Sequence, residues 1–188
     1  MRTGSQRVSE IVQSLRNFSR LDEAKFKAVD SHEGLDATLM ILQSRFNANH
    51  CANGIELIRA YGKLPLVDCA PGPLNQVFIN LLSNAIDALE ETATERSHQQ
   101  ANPRRIWICT EHLCDNQVAI RIKDNGSGIP AYIQDRIFDP FFTTKPVGKG
   151  TGLGLSVSYQ TIESHGGRID VKSNPEESTE FIISLPVG

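Results

Sequence analysis

The sequence has few of the features that identify membrane, secreted or nucleic-acid-binding proteins. No apolar run approaches the roughly 20 residues that a membrane-spanning helix needs, and the N-terminus shows no signal-peptide pattern. The formal net charge is only −3, which argues against a general nucleic-acid binder. The four cysteines include no Cys-x-x-Cys pair, and no histidine stands near them at metal-binding spacing. This pattern is typical of reduced structural thiols, so we expect a cytoplasmic chain.

The length of 188 residues suffices for one well-buried domain and one additional element. Residues 1–24 begin with a short tail in which Gly4-Ser5 is typical of a cloning remnant. They continue with an apolar stripe at helical spacing, formed by Val8, Ile11, Val12, Leu15 and Phe18. The stripe packs either on its own domain, or on a segment absent from this sequence or another copy of the chain, and the pattern favours neither. Residues 25–188 are expected to form the main domain.

Strand and helix patterns predict the architecture of residues 25–188. Alternating apolar residues and turn signals predict strands near 25–29, 55–61, 66–69, 106–112, 118–123, 168–173 and 180–185. Helical periodicity predicts helices near 31–46, 74–91 and 152–164, and residues 92–104 read as a loop. Residues 139–151, rich in glycine, proline, threonine and lysine, are predicted to form a mobile lid. Because hairpins join neighbouring strands, we expect an α+β two-layer sandwich: a mixed, largely antiparallel sheet covered on one face by helices.

The predicted helix 74–91 carries a stripe of side-chain amides. Gln76, Asn80 and Asn84 are four residues apart and share one face, while apolar residues occupy the other. An amide oxygen suits Mg²⁺, which also keeps water and phosphate oxygens as ligands. The alternative is that these amides face solvent or cap loops, and taken alone the stripe favours that alternative.

Two glycine-rich loops follow the amide stripe. A predicted strand ends at Asp124 in the turn Asp-Asn-Gly-Ser-Gly, and Gly150, Gly152 and Gly154 lie at the start of the last predicted helix. Bare backbone amides at a helix start cradle phosphate groups, and a carboxylate beside glycines suits the exocyclic amine of a purine. Taken singly, the first loop is an ordinary turn and the second a flexible helix cap. Together with the amide stripe, they predict a purine nucleotide site.

Four motifs in a fixed order carry a resemblance to a known family. They read Asn80-Leu-Leu-Ser-Asn84-Ala-Ile-Asp-Ala, Asp124-Asn-Gly-Ser-Gly, Phe138-Asp-Pro-Phe-Phe and Gly150-Thr-Gly-Leu-Gly-Leu. They resemble the N, G1, F and G2 boxes of sensor histidine kinases of two-component systems, over residues 30–188. The Phe-Phe-Thr-Thr-Lys form of the third motif resembles the nitrogen-regulation and dicarboxylate-sensor branch. The resemblance implies the Bergerat ATP-binding fold of the GHKL superfamily, shared with gyrase and mismatch-repair ATPases.

The resemblance also implies ATP and Mg²⁺ as cofactors, with a role for each motif residue. Asp124 is expected to accept a hydrogen bond from the adenine amine, and Asn84 to bind Mg²⁺. Asn80 is expected to support the metal and the reacting phosphates, and to act in catalysis together with Lys145. The other residues expected at the nucleotide are Asp87, Gly126, Gly128, Ile129, Thr144, Gly148, Lys149, Gly150, Thr151, Gly152, Leu153 and Gly154. For Lys149, a solvated lysine of the lid is an equally supported alternative. The phenylalanines Phe138, Phe141 and Phe142 are expected to anchor the lid.

The resemblance implies phosphoryl transfer to a histidine that this chain does not contain. Residues 8–18 resemble the end of the second helix of a dimerisation and phosphotransfer domain, and none of the five histidines has the acceptor context. We therefore expect transfer to that domain of the same kinase, and from the phosphohistidine to a response-regulator receiver domain. The full-length protein is expected to be a homodimer, with membrane anchoring left open, and this chain a monomer or a weak pair.

One position separates the chain from the hydrolytic members of the superfamily. Those members carry a glutamate general base one helical turn before the metal-binding asparagine, where this chain has Asn80. An amide takes up no proton at neutral pH, so we expect little ATP hydrolysis. Phosphoryl transfer to another nucleophile depends mainly on positioning and charge neutralisation, so the absence of a general base at this position does not prevent it. The alternatives are a GHKL-type ATPase or an anti-sigma-type serine kinase, and a nucleotide-binding module that acts only by docking.

Overall fold

A computed structural model describes residues 26–47, 54–95, 103–146 and 150–187. The described residues form seven strands: β1 (Lys27–Val29), β2 (Glu56–Tyr61), β3 (Val67–Cys69), β4 (Arg105–Leu113), β5 (Gln117–Asp124), β6 (Arg168–Asn174) and β7 (Ser178–Pro186). They also form five helices: α1 (Ser31–Ile41), α2 (Gln43–Asn47), α3 (Pro71–Glu95), α4 (Ala131–Gln134) and α5 (Gly154–Ser164).

One layer of the fold is a five-stranded sheet with the order β2-β4-β5-β7-β6. Only β2 and β4 run parallel, and the other neighbours are antiparallel. A separate antiparallel pair joins β1 to β3, with Val29 opposite Val67. The two hairpins, β4–β5 and β6–β7, meet where β5 pairs with β7 in the centre of the sheet. The predicted α+β fold with a mixed, largely antiparallel sheet is confirmed.

The core lies between one face of the sheet and the helices. Alternate residues of β4 and β5, such as Ile106, Ile108 and Ile120, are completely buried. The apolar side of α3 packs on them through Val77, Phe78, Leu81, Leu82, Ile86 and Leu89. Each such side chain contributes about 1.5–3 kcal/mol through removal from water. This packing fixes the other side of α3, with the amide stripe, relative to the ends of the strands.

The helix boundaries differ from the predicted ones at several points. Helix α1 starts where expected, because the Asp30 side chain accepts a hydrogen bond from the backbone N–H of His32 at 2.9 Å. The predicted helix 31–46 is interrupted at Leu42 and continues as α2. Helix α3 begins at Pro71, since a proline in the first turn has no N–H that needs a partner. It continues to Glu95, so the predicted loop over residues 92–95 is wrong, and the short helix α4 was not predicted.

Several predictions concern residues outside the described ranges. The apolar stripe of residues 8–18, the N-terminal tail, Cys51, Gly148 and Lys149 belong to this group, and the boundary between residues 24 and 25 stays a prediction. Within the described part of the chain, Cys69, Cys109 and Cys114 are free thiols. None of the described helices combines the length and the apolarity that crossing a membrane requires.

Candidate functional site

A cavity of about 740 Å³ is bounded by α3, the end of β5, the 127–130 loop, α4 and the start of α5. Its wall brings together most of the residues that the four motifs predicted, although they are far apart in the sequence. These are Asn84, Asp87, Asp124, Gly128, Ile129, Thr144, Lys145, Gly150, Thr151, Gly152 and Gly154. Three predicted residues, Asn80, Gly126 and Leu153, lie beside the cavity without lining it.

Asp124 is the buried charge of the cavity, with 3% of its surface exposed. It is the last residue of β5, and its Oδ1 accepts a hydrogen bond from the backbone N–H of Gly126 at 2.9 Å. Burial raises the pKa of Asp124 to about 6, against the opposing effect of backbone hydrogen bonds from Gly126 and Thr179. A carboxylate held in this way favours a ligand that donates a hydrogen bond to it.

The loop after Asp124 is held against the β6–β7 hairpin. Gly128 has a φ of +69°, and a Cβ atom there would lie 2.1 Å from the carbonyl oxygen of Asn174. Only glycine fits this conformation and this contact. The backbone N–H of Glu176 also donates to the carbonyl of Ser127 at 2.6 Å. The hairpin therefore determines the shape of the loop at this side of the cavity.

A cluster of oxygen atoms on α3 faces the lid segment, as we call residues 139–146, the first described part of the predicted lid. The Nζ of Lys145 donates to Oδ1 of Asn84 at 3.3 Å and forms a short ion pair with the carboxylate of Asp87. The other oxygen of Asp87 accepts from Arg45 at 2.6 Å, and Arg45 also reaches Glu90 at 3.1 Å. Burial by itself would raise the pKa of Asp87, but the hydrogen bonds from Lys145 and Arg45 outweigh it and lower that pKa. Asn84 and Asp87 thus already hold one cation, the Lys145 ammonium.

Asn80 connects two helices. Its Oδ1 accepts from Nε2 of Gln76 at 3.0 Å, and its Nδ2 donates to the carbonyl of Gly154 at 2.9 Å and to Oγ of Ser158 at 3.1 Å. The middle residue of the amide stripe therefore holds the first turn of α5, although all three stripe residues are partly exposed. The predicted role of Asn80 at the metal stays a prediction, and its contacts are those of a residue that positions the α5 N-terminus.

The start of α5 forms another part of the wall. No side chain caps this helix, so its first N–H groups are available to an anion. Gly152, just before it, has a φ of +66°, and a Cβ atom there would lie 2.4 Å from the carbonyl carbon of Phe141. The backbone of the lid segment thus rests directly on the glycine loop.

The three phenylalanines that were predicted to anchor the lid differ in their contacts. Phe138 contacts the rings of Tyr159 and Phe181, with centroids 5.4 Å and 6.5 Å away, and Phe142 lies under the guanidinium of Arg136 at 4.9 Å. Both are anchors, as predicted. Phe141 has a positive φ of 66° and is 74% exposed, so the prediction that it is an anchor is wrong.

Sequence reasoning missed one wall residue with a polar side chain beside Asp124. Thr179 of β7 lines the cavity, is 4% exposed and is the cross-strand partner of Asp124. The alternation of β7 places it on the buried face, but it belongs to none of the four motifs. Its pairing with Asp124 depends on the β5–β7 register, which the local sequence does not specify.

Comparison with known proteins identifies the family. Residues 69–188 match the profile of the "Histidine kinase-, DNA gyrase B-, and HSP90-like ATPase" family. The chain belongs to this family. The match covers α3, the lid segment, both glycine loops and the whole β4–β7 region, and so every element that forms the cavity.

The similar proteins are sensor histidine kinases, which confirms the predicted resemblance. The chain is 33% identical to the signal transduction histidine-protein kinase AtoS of Escherichia coli (strain K12), over 96% of this chain and 27% of AtoS. It is 35% identical to the sensor kinase CckA of Brucella abortus (strain 2308), over 99% of this chain and 20% of CckA. The chain thus spans about a quarter or less of the length of these relatives.

Solved structures confirm the fold. The nucleotide-free catalytic domain of histidine kinase ThkA matches with a TM-score of 0.69 and 27% identity, over 86% of this chain and 95% of that domain. Full-length ShkA, solved with AMPPNP, matches with a TM-score of 0.71 over 94% of this chain and 35% of ShkA. At 23% identity the second match supports the fold alone.

Proposed function

We propose that this chain binds Mg²⁺–ATP and transfers the γ-phosphate to a histidine on a dimerisation and phosphotransfer domain outside the chain. The observation that carries the proposal is the composition of one cavity wall. It combines a buried acceptor for a purine amine, an oxygen pair that already holds a cation, and an uncapped helix start behind a glycine loop. These are the three kinds of group that an adenine, a divalent metal and a triphosphate need.

Asp124 is proposed to bind the adenine. Its carboxylate is fixed by backbone N–H groups, so that its other lone pairs are available inside the cavity. An exocyclic amine that donates to it compensates for the cost of burying the charge. Ala85, Ala88 and Ile129 supply apolar wall surface around this carboxylate for the faces of the base.

Asn84 and Asp87 are proposed to hold Mg²⁺. The donor set fits, because an amide oxygen and a carboxylate are hard ligands and converge on the Lys145 ammonium. Among the described residues, no group of three or more His, Cys, Asp or Glu side chains could form a closed metal site. An ion that shares its coordination with phosphate oxygens and water needs no such group. When bound, the metal would neutralise charge on the phosphates.

The phosphates are proposed to lie at the start of α5. Gly150, Thr151 and Gly152 bring bare backbone to the cavity there, and the helix N-terminus favours negative charge. Lys145 is within reach of the same region and supplies a positive charge from the lid segment. Lys149 and Gly148 are proposed to contribute as the resemblance implies.

Transfer is proposed rather than hydrolysis. Asn80 occupies the position of the general base in hydrolytic relatives, and both ends of its amide are engaged by Gln76, Gly154 and Ser158. It therefore holds the phosphate-binding turn in place and accepts no proton from water. The partners proposed for the longer protein are a phosphotransfer domain, a response-regulator receiver domain and a second kinase subunit, in the cytoplasm.

The test uses ATP radiolabelled in the γ-phosphate, with the chain alone and with a histidine phosphotransfer domain added in trans. The expected result is acid-labile label on the added domain only, and its loss in the Asp124→Asn variant. Label on this chain itself would contradict the missing acceptor. Steady release of inorganic phosphate by the chain alone would favour an ATPase.

A further inference from the structure

The hydroxyl of a residue outside the cavity wall contacts the hydroxyl of a residue that lines it. Ser173 lies on β6 opposite Thr179 of β7, and the two side-chain oxygens are 2.9 Å apart. Thr179 is the cross-strand partner of Asp124 on its other side, and its backbone N–H donates to the Asp124 carboxylate. Ser173, Thr179 and Asp124 therefore form a row across three neighbouring strands that leads into the cavity.

The hydrogen-bond count at Ser173 fixes the direction of this contact. A serine hydroxyl has one hydrogen and two lone pairs. Its Oγ accepts from the backbone N–H of Ile129 at 2.8 Å and lies 2.9 Å from the carbonyl oxygen of Ser178. A carbonyl only accepts, so the hydrogen of Ser173 goes to Ser178. The remaining partner, the Thr179 hydroxyl, must then donate its hydrogen to Ser173.

The direction of this hydrogen bond determines whether Thr179 is a donor or an acceptor toward a bound base. Once the Thr179 hydrogen points at Ser173, the Thr179 oxygen presents only lone pairs to other groups. The neighbouring Asp124 carboxylate also only accepts when it is ionised. Two adjacent acceptors match the two N–H groups of an exocyclic amine and repel an oxo group at the same position.

We propose that Ser173 is a positioning residue for base selectivity: it takes the hydrogen of the Thr179 hydroxyl, and the cavity thereby presents an all-acceptor edge that selects a 6-amino over a 6-oxo purine. The inference rests on the proposed nucleotide binding. Ser173 acts through Thr179, because Ser173 itself does not line the cavity.

A second set of contacts keeps Ser173 in place. Gln134 of α4 donates from Nε2 to the carbonyl of Ile129 at 2.7 Å and to the carbonyl of Ser173 at 3.1 Å. The 127–130 loop, α4 and the β6–β7 hairpin thus share one hydrogen-bond network. The contacts of Gln134 do not involve the Ser173 hydroxyl, so they persist when that hydroxyl is removed. Ser173→Ala also removes the acceptor of the Ile129 N–H, and for this reason the ratio of two affinities is measured rather than one affinity.

The test compares the affinities of ADP and IDP by calorimetry at about pH 8, where Asp124 is ionised. The two bases carry an amino or an oxo group at position 6, and the oxo base also has a hydrogen on N1. In Ser173→Ala the Thr179 hydrogen is free to turn toward the base and to donate to an oxo group. The ratio of ADP to IDP affinity is expected to fall about tenfold. Ser173→Thr, which keeps the hydroxyl, is expected to retain the wild-type ratio.

Two controls separate selectivity from a structural effect. Ser178→Ala is the matched variant on the same hairpin, since its carbonyl and not its hydroxyl contacts Ser173, and it should leave the ratio unchanged. Thr179→Val should lower the ratio by itself, and adding Ser173→Ala to it should cause no further change. A merely structural role for Ser173 would weaken ADP and IDP equally.

The outcomes distinguish this inference from the proposed function. A wild-type protein that binds ADP, with an unchanged ratio in Ser173→Ala, overturns the role of Ser173 only. If Ser173→Ala does not fold, as judged by its thermal melt, an unchanged ratio in Thr179→Val overturns it instead. A wild-type protein that binds neither nucleotide overturns the proposed function and this inference with it.

Discussion

Replacing Asp124 by asparagine should make the ligand-free protein more stable while it destroys the nucleotide site. The carboxylate is buried, and its pKa is raised to about 6 from the ordinary 3.8. This difference corresponds to about 3 kcal/mol, which ionisation of Asp124 removes from the stability of the ligand-free protein. Asparagine has nearly the same shape, carries no charge and keeps an oxygen for the N–H of Gly126. It has one acceptor oxygen fewer for the N–H of Thr179, so the figure of about 3 kcal/mol is an upper bound.

The pH dependence gives the sign of the effect. A carboxyl group with a raised pKa in the folded state binds its proton more tightly there than in the unfolded chain. Its contribution to stability is therefore fully present below about pH 4 and is lost as the pH rises through about 6. The Asp124→Asn variant does not titrate at this position. It should exceed the wild type by up to about 3 kcal/mol at about pH 8 and by much less at about pH 4.

The assay is thermal unfolding of both proteins at these two pH values without nucleotide. For a chain of this size, about 3 kcal/mol corresponds to a rise of roughly 6–12 °C in Tm. Binding of ADP should weaken by roughly 100-fold, because the amide turns an N–H toward the adenine amine. Asp68→Asn, at an exposed position of β3, is the matched control and should change neither quantity. An Asp124→Asn variant with a lower Tm at both pH values would refute the reasoning.

Two further substitutions test other parts of the site and the fold. Lys145→Met should increase amide hydrogen exchange of residues 142–145 several-fold, because its ammonium ties the lid segment to α3. Arg45→Met removes another partner of the same Asp87 but no lid contact, so unchanged lid exchange is expected, and equal loosening would contradict this account. His165 is buried, accepts from the backbone N–H of Ala70 at 2.9 Å, and its Nδ1 lies 2.6 Å from a backbone carbonyl. His165→Leu should cost about 2–3 kcal/mol of stability and leave ADP affinity unchanged, and an unaltered Tm would contradict that role.

The sequence predicts those parts of the fold that depend on residues close together in the chain. The β4–β5 and β6–β7 hairpins follow from strand alternation around turn residues, and α1 starts at its cap, Asp30. Asp124 and the two glycine-rich loops can be recognised from the sequence, because glycines next to a carboxylate, or at the start of a helix, form a short local pattern. Most of the predicted residues that the structure describes do line one cavity, although many of them are separated by tens of positions.

The remaining features depend on contacts between distant segments. The hydrogen bond from Asn80 to the carbonyl of Gly154 forms only when α3 packs against α5. The sequence pattern of neither helix predicts this packing. The positive φ of Phe141 and the close contact of its backbone with Gly152 join two segments that are eleven residues apart. The row from Ser173 through Thr179 to Asp124 follows from the register of three strands, and β6 and β7 come more than 40 residues after β5 in the chain. Such register is set by the whole sheet.

We propose that the four motifs together build one site for an adenine nucleotide and its metal. Calorimetric titration with a non-hydrolysable ATP analogue, with and without Mg²⁺, tests it most directly in the wild type and in Asn84→Ala. We expect binding that Mg²⁺ strengthens in the wild type, and loss of this Mg²⁺ effect in the variant because the amide oxygen is gone. Absence of binding to the wild type with Mg²⁺ present, or an Mg²⁺ effect that survives in Asn84→Ala, would contradict the account.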